Sequence, residues 1–153
     1  MIIKTLLSKE DFLRSDASSL FQDEKFDRKF MKIKVLSACF KFSWGSDLIE
    51  PMVSVFDDHL LCIGVDLNFI IYSLREKKLV LSLSLYDFFY ELINLKNKIF
   101  VATELHVYEI DTISFEVKTL VLPEIFSHFS LTGGKLEAIC INDYVVNLDA
   151  QVV

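Results

Sequence analysis

Leu95-Lys96-Asn97-Lys98-Ile99-Phe100-Val101-Ala102-Thr103-Glu104 recurs 38 residues later as Gly133-Gly134-Lys135-Leu136-Glu137-Ala138-Ile139-Cys140-Ile141-Asn142. It recurs more loosely 38 residues earlier as Asp57-Asp58-His59-Leu60-Leu61-Cys62-Ile63-Gly64-Val65-Asp66. The register continues, since Val107-Tyr108-Glu109-Ile110-Asp111 falls on Val145-Val146-Asn147-Leu148-Asp149. A fixed period of this length marks a supersecondary unit repeated along the chain and stacked on its neighbours. Residues 51–149 therefore read as three β repeats of about 38 residues.

Each repeat reads as an antiparallel meander. The first has strands near 52–56, 60–65, 69–74 and 79–85, and the second near 90–95, 99–103, 106–110 and 116–122. The third offers strands near 128–132, 136–141 and 144–148, with its missing fourth strand expected from the N-terminal head. The second strand of each unit is apolar or small at both parities, as a strand covered on both faces must be.

In the head, Ile2 to Leu7 reads as a strand and Ser8-Lys9-Glu10-Asp11 as a capping box opening a short helix. Short helices and loops are expected over 15–27. From Phe30 to Trp44, apolar residues alternate with Lys32, Lys34 and Lys41, and the parity flips at Leu36-Ser37. A β-bulge there would keep both apolar sets on one core. Interleaved Lys and Phe also fit a single-stranded nucleic-acid platform, but lysines guarding an edge strand explain them more simply. Residues 1–43 are expected to pack on the repeats, making 1–153 one domain.

At 153 residues, 52% apolar and 13% aromatic, the chain has enough apolar surface for a packed core. Its longest apolar stretch, 79–93, is interrupted by Asp87 and Glu91, so no membrane span is expected. Cys39, Cys62 and Cys140 form an odd set without metal-ligand spacing, which points to buried free thiols in the reducing cytoplasm. The net charge of −6 is uneven: residues 1–46 carry nine Lys/Arg against six acids, and the rest seven against sixteen. An acidic body argues against nucleic acid and for a cationic partner.

Asp57-Asp58-His59 is the most enzyme-like triplet, yet Lys96-Asn97 and Gly133-Gly134 fill the same slot in the other repeats, so the shared property is a turn. His59, His106 and His128 show no ligand spacing, and no nucleophile elbow, zinc-protease or phosphate-loop motif occurs. The sequence thus leads to the expectation of no enzyme activity, no cofactor and no metal. In the meander, the turn between strands two and three shares a rim with the connector to the next unit. The loops placed there carry Asp47, Glu50, Asp66, Tyr86, Asp87, Glu91, Glu104, His106, Glu124 and Asp143, without Lys or Arg, and include Trp44, Phe88, Phe89, Tyr90 and Phe126. Aromatics among charges of one sign suit a partner-binding face, the alternative being a solvated acidic face, with several of these aromatics expected in the core.

Val107-Tyr108-Glu109-Ile110-Asp111-Thr112 and Ile71-Tyr72-Ser73-Leu74 resemble the third strand of β-propeller blades, an apolar-aromatic pair before a polar turn. The chain is expected to be all-β, an open, propeller-like stack of antiparallel meander sheets with a short helical N-terminal region. The alternative is an up-and-down β-barrel that binds a small ligand. In size and charge alone the sequence resembles immunity proteins of bacterial toxin systems, including contact-dependent ones. That likeness implies a non-enzymatic cytoplasmic interaction protein whose rim blocks a basic toxin domain such as a nuclease, with neither nucleic acid nor membrane as partner.

Overall fold

Asp58, Lys96 and Gly134, each 38 residues from the next, all adopt left-handed backbone, with φ of 61°, 56° and 79°. Lys77 and Phe115, again 38 apart, do so at 57° and 59°. The period is therefore partly conformational: a left-handed residue recurs at one slot of each turn, although the turn has three residues, 57–59, in the first meander and two, 96–97 and 133–134, in the others. In this computed structural model residues 1–23 and 25–148 are described, so Asp149 of the repeat register lies outside them. The chain forms two compact units, Met1–Pro51 and the part from Met52 onward.

In the first unit, β1 (Ile2–Leu7), β2 (Ser18–Phe21), β3 (Lys29–Val35) and β4 (Ala38–Trp44) build one sheet in the order β1-β3-β4-β2, and the helix α1 (Lys9–Arg14) follows β1. Ser8 caps the helix by accepting from the Asp11 N–H at 3.1 Å. Buried Phe12 packs on Phe30 with ring centroids 5.1 Å apart. The ammonium of Lys41 donates to the Phe12 and Ser15 carbonyls at 2.8 and 2.9 Å, satisfying acceptors that a helix end leaves open.

Three expectations for this unit are corrected. Leu36-Ser37 is a two-residue hairpin turn with Leu36 at φ 56°, and no bulge is involved. Such a turn pairs residues of opposite parity, Ile33 with Phe40 and Met31 with Phe42, so the flip follows from chain reversal. The lysine-bearing strands β3 and β4 are central in the sheet, and Lys41 serves the helix. The head also completes its own sheet, and among the described residues the third meander has three strands, because a tight hairpin closes far less chain than a pairing across the sequence.

The second unit contains the three meanders. The first is β5 (Met52–Phe56), β6 (Leu60–Val65), β7 (Asn68–Ser73) and β8 (Lys78–Ser84). The second is β9 (Phe89–Leu95), β10 (Lys98–Thr103), β11 (His106–Asp111) and β12 (Val117–Val121), and the third is β13 (Phe126–Thr132), β14 (Lys135–Cys140) and β15 (Val145–Asn147). Every neighbouring pair is antiparallel. The fold is all-β and propeller-like, with separate open sheets where the alternative required a closed barrel.

β10 shows why its sequence is apolar at both parities. Ile99 and Val101 enter a core with Leu60, Cys62, Phe69 and Ile71 of the first meander, while Phe100 and Ala102 enter a second core with Leu136, Ala138 and Cys140 of the third. β6 is buried along its whole length. Gly64 in β6 leaves room for the Phe89 ring: a Cβ there would stand 2.3 Å from Phe89 Cε2. Among the described residues, no helix is long and apolar enough to cross a membrane.

Gly64→Ala is expected to cost about 1–3 kcal/mol by overpacking. In urea melts, Phe89→Leu is expected to be less damaging on the Gly64→Ala background than alone, and strictly additive losses would contradict this packing. Cys62 and Cys140 are buried and Cys39 half-buried, all three free. Burial, aided by the Asp57 charge, pushes the Cys62 thiol far up, and burial raises Cys140. Since the thiolate is the nucleophile, a native thiol titration should register Cys39 first, with Cys62 and Cys140 reacting only in denaturant.

Candidate functional site

Backbone hydrogen bonds stitch the rim loops of the second unit together. Asp66 O accepts from the Phe89 N–H and Leu67 O from the Leu85 N–H, both at 2.8 Å. One repeat later, Glu104 O accepts from Phe126 and Leu105 O from Leu122, again at 2.8 Å. The Glu104 N–H donates to Phe88 O at 3.1 Å, and Ile141 N–H to Ile125 O at 2.8 Å. Each inter-strand turn is thereby tied to the connector beside it.

Asp87, from the β8–β9 connector, and His106, at the start of β11, meet across this rim. Nδ1 of His106 lies 2.7 Å from Asp87 Oδ2, with the two side chains 18% and 16% exposed. A carboxylate only accepts, so Nδ1 carries the proton and Nε2 faces away from the pair. Asp87 Oδ1 also accepts from the Leu105 N–H at 3.0 Å. Burial alone would raise the Asp87 carboxyl; hydrogen bonds from Thr103, Leu105 and His106, together with the His106 charge, outweigh it and hold the group below its ordinary value. The Tyr86 ring lies 5.2 Å from the His106 ring and 6.4 Å from Tyr108, whose hydroxyl accepts the Tyr86 N–H at 3.0 Å. Burial, opposed by that hydrogen bond, raises the Tyr108 hydroxyl.

Of the expected site residues, Asp66, Tyr86, Asp87, Glu104, His106, Glu124 and Asp143 fall in or beside these stitched loops. Asp66 turns the chain at φ 50° with one carboxylate oxygen buried, so it is part of the turn as well as of the surface. Glu91 is displaced from the rim loop: it sits within β9, half-buried and opposite Ala102, because the strand begins at Phe89. Asp47 and Glu50 belong to the first unit, where they line a cavity of about 150 Å³ with Lys4, Lys29 and Trp44. Asp47 lies 3.6 Å from Arg28 and 3.9 Å from Lys29, so that wall is mixed in charge.

Trp44, Phe89 and Phe126, expected at the rim, are buried in cores, whereas Tyr86 is 76% exposed and Phe88 and Tyr90 are exposed. Sequence reasoning passed over Leu67, Leu105, Ile125 and Tyr144, which are exposed in the same loops. The 38-residue spacing of Leu67 and Leu105 was their available signal. Asp57-Asp58-His59 forms a turn, with both aspartates at positive φ and His59 Nδ1 2.6 Å from Asp57 O. No group of three or more His, Cys, Asp or Glu side chains among the described residues is placed to hold a metal ion.

No protein-family model matches the chain, and comparison of its sequence with curated proteins finds no match. Among solved structures it is similar to dihydro-heme d1 dehydrogenase NirN in complex with DHE, at a TM-score of 0.57 and 14% identity. The similarity covers 79% of this chain and 31% of that one, so the chain spans about a third of its neighbour's length. The expectation of no enzyme activity is corrected here. The structural neighbour is a dehydrogenase, so a fold of this kind accommodates enzymatic chemistry and missing local motifs do not exclude it.

The depressed Asp87 carboxyl has a definite sign for stability. A group whose folded pKa lies below its unfolded value contributes stability above the unfolded value, about 4, and loses it as pH falls through the folded one. Asp87→Asn is therefore expected to cost about 1–3 kcal/mol at pH 7. Chemical melts at pH 7 and pH 3 check this, with the gap between variant and native protein narrowing at acid pH.

Proposed function

We propose that the second unit binds a cationic protein partner through its acidic rim. The observation carrying this reading is the composition of the stitched loops, 66–67, 85–88, 104–105, 122–125 and 141–144, which contain no Lys or Arg. They expose Leu67, Tyr86, Phe88, Leu105, Ile125 and Tyr144 beside Glu104, Glu124 and Asp143. Carboxylates steer a basic partner and set its orientation, while aromatic and aliphatic groups in a desolvated centre retain it. At the other strand ends Arg75, Lys77, Lys96 and Lys135 are interspersed with Asp57, Asp58, Glu76 and Glu116, so the stitched loops are of one sign where the opposite turns are mixed.

An immunity protein that occupies the phosphate-binding cleft of a basic nuclease toxin in the cytoplasm is the form of this reading we favour. Its support is the small acidic chain and the carboxylates available to stand where phosphates would lie. With a basic toxin domain as analyte at low salt, Glu104→Lys/Glu124→Lys is expected to slow association roughly tenfold or more while leaving the melting temperature nearly unchanged. Arg75→Glu/Lys135→Glu should bind as the native chain does, and raised salt should shrink the difference. Equal losses from both pairs in an interferometry assay would refute the choice of face.

A further inference from the structure

β1 ends its sheet in the first unit and, among the described residues, β15 ends its sheet in the second. Both terminal strands present apolar side chains to solvent: Ile3 is 50% and Leu6 66% exposed on β1, and Val145 is 54% exposed on β15. Apolar strands at a sheet edge are templates for pairing with a further strand. The repeat shows what kind of strand fits beside β15. Val145 and Val146 stand 38 residues after Val107 and Tyr108 of β11, which are buried and have β12 alongside. β15 thus occupies the place of a strand that is internal to its sheet in the second meander.

β1 has the sequence of such a covering strand. Ile3-Lys4-Thr5-Leu6-Leu7 matches Val117-Lys118-Thr119-Leu120-Val121 of β12 position by position, with Lys-Thr-Leu identical and an aliphatic residue on either side. In β12, Val117 packs against one core and Leu120 against the next, whereas the matching residues of β1, Ile3 and Leu6, are left in solvent. We propose that β1 of a second copy of this chain docks along β15 as the fourth strand of the third meander, a strand addition that extends both sheets. The register of β11 on β12 places Leu7, Leu6 and Thr5 of that copy opposite Tyr144, Val145 and Val146. Charge favours the encounter: residues 1–46, which contain β1, carry nine Lys/Arg against six acids, and residues 47–153, which contain β15, seven against sixteen. The contact joins unlike edges, so it repeats from copy to copy unless the rotation closes a ring. One strand pair buries little surface, which makes the association weak. The proposal does not rest on the rim reading, whose test variants at Glu104 and Glu124 leave both strands untouched.

The test is the weight-average mass of the full chain by sedimentation equilibrium, at concentrations from about 10 μM to about 1 mM. The mass of the native protein is expected to rise from the monomer's 17.7 kDa to at least about twice that value. Leu6→Glu and Val145→Lys each place a charge at an exposed position, so each should melt within about 3 °C of the native chain and stay monomeric throughout. An equimolar mixture of the two should associate again, because the new carboxylate then meets the new ammonium across the same register. A peptide of residues 1–8, added in excess, should return the native protein to monomer without any variant having to fold. A native chain that stays monomeric, a single variant that associates as the native chain does, a mixture no heavier than its components, or a peptide without effect each overturns the proposal.

Discussion

The stacking of the first two meanders depends on one ring filling one missing side chain. Phe89 opens the second sheet and lies against Gly64 in the second strand of the first, where even a methyl group would come within 2.3 Å. That close approach brings the connector backbone beside the preceding turn, where the Phe89 N–H reaches Asp66 O at 2.8 Å. The next junction repeats the device with a larger residue: Phe126 and Ala102 share a core, and the Phe126 N–H reaches Glu104 O at the same distance. An aromatic residue opening one sheet and a small residue in the previous one therefore fix the stacking. The period follows from the need to repeat that fit.

Once the connectors are tied down, the rim becomes a row of short loops with little freedom of their own. Side chains directed into the sheets have gone to the two cores, so those left on the loops face solvent whatever their chemistry. Exposed Leu67, Leu105 and Ile125 are therefore exposed by construction rather than by loose packing. Asp87 adds a second constraint, since one carboxylate holds the Leu105 N–H and the His106 ring at once. Satisfying it demands that the connector and the following turn keep their register, and this sets the Tyr86 ring against those of His106 and Tyr108.

The period made most of the second unit legible in the sequence, because turns sharing a slot in three repeats could be compared with one another. Lys96-Asn97 and Gly133-Gly134 revealed Asp57-Asp58-His59 as a turn, which no inspection of the triplet alone could do. The head offered no such comparison. Its parity flip has two structural solutions, a bulge or a two-residue reversal, and both preserve the apolar face, so periodicity could not separate them. Glu91 fell in both readings, the strand near 90–95 and the connector before it, and the start of β9 at Phe89 decides for the strand. Burial of Trp44 was legible from its place on the alternating apolar face of 30–44, whereas that of Phe89 and Phe126 was not, since each lies next to a loop and only stacking decides which way such a ring turns.

The candidate site shows why searching for short motifs is a poor guide in a stacked-sheet fold. Asp87 and His106 lie 19 residues apart and meet because one comes from a connector and the other from the strand start just after the next inter-strand turn. Lys98 and Glu109 lie 11 apart and meet across a strand pair. Neither spacing belongs to a helix, a nucleophile elbow or a phosphate loop, yet each brings charged groups within hydrogen-bonding distance. Chemistry in such a chain is encoded by position within the repeat, as a departure from what the neighbouring repeats place there. By that measure Ile71 against Glu109 is a sharper signal than the isolated carboxylates and histidine of Asp57-Asp58-His59, whose slot the other repeats fill with equally good turns.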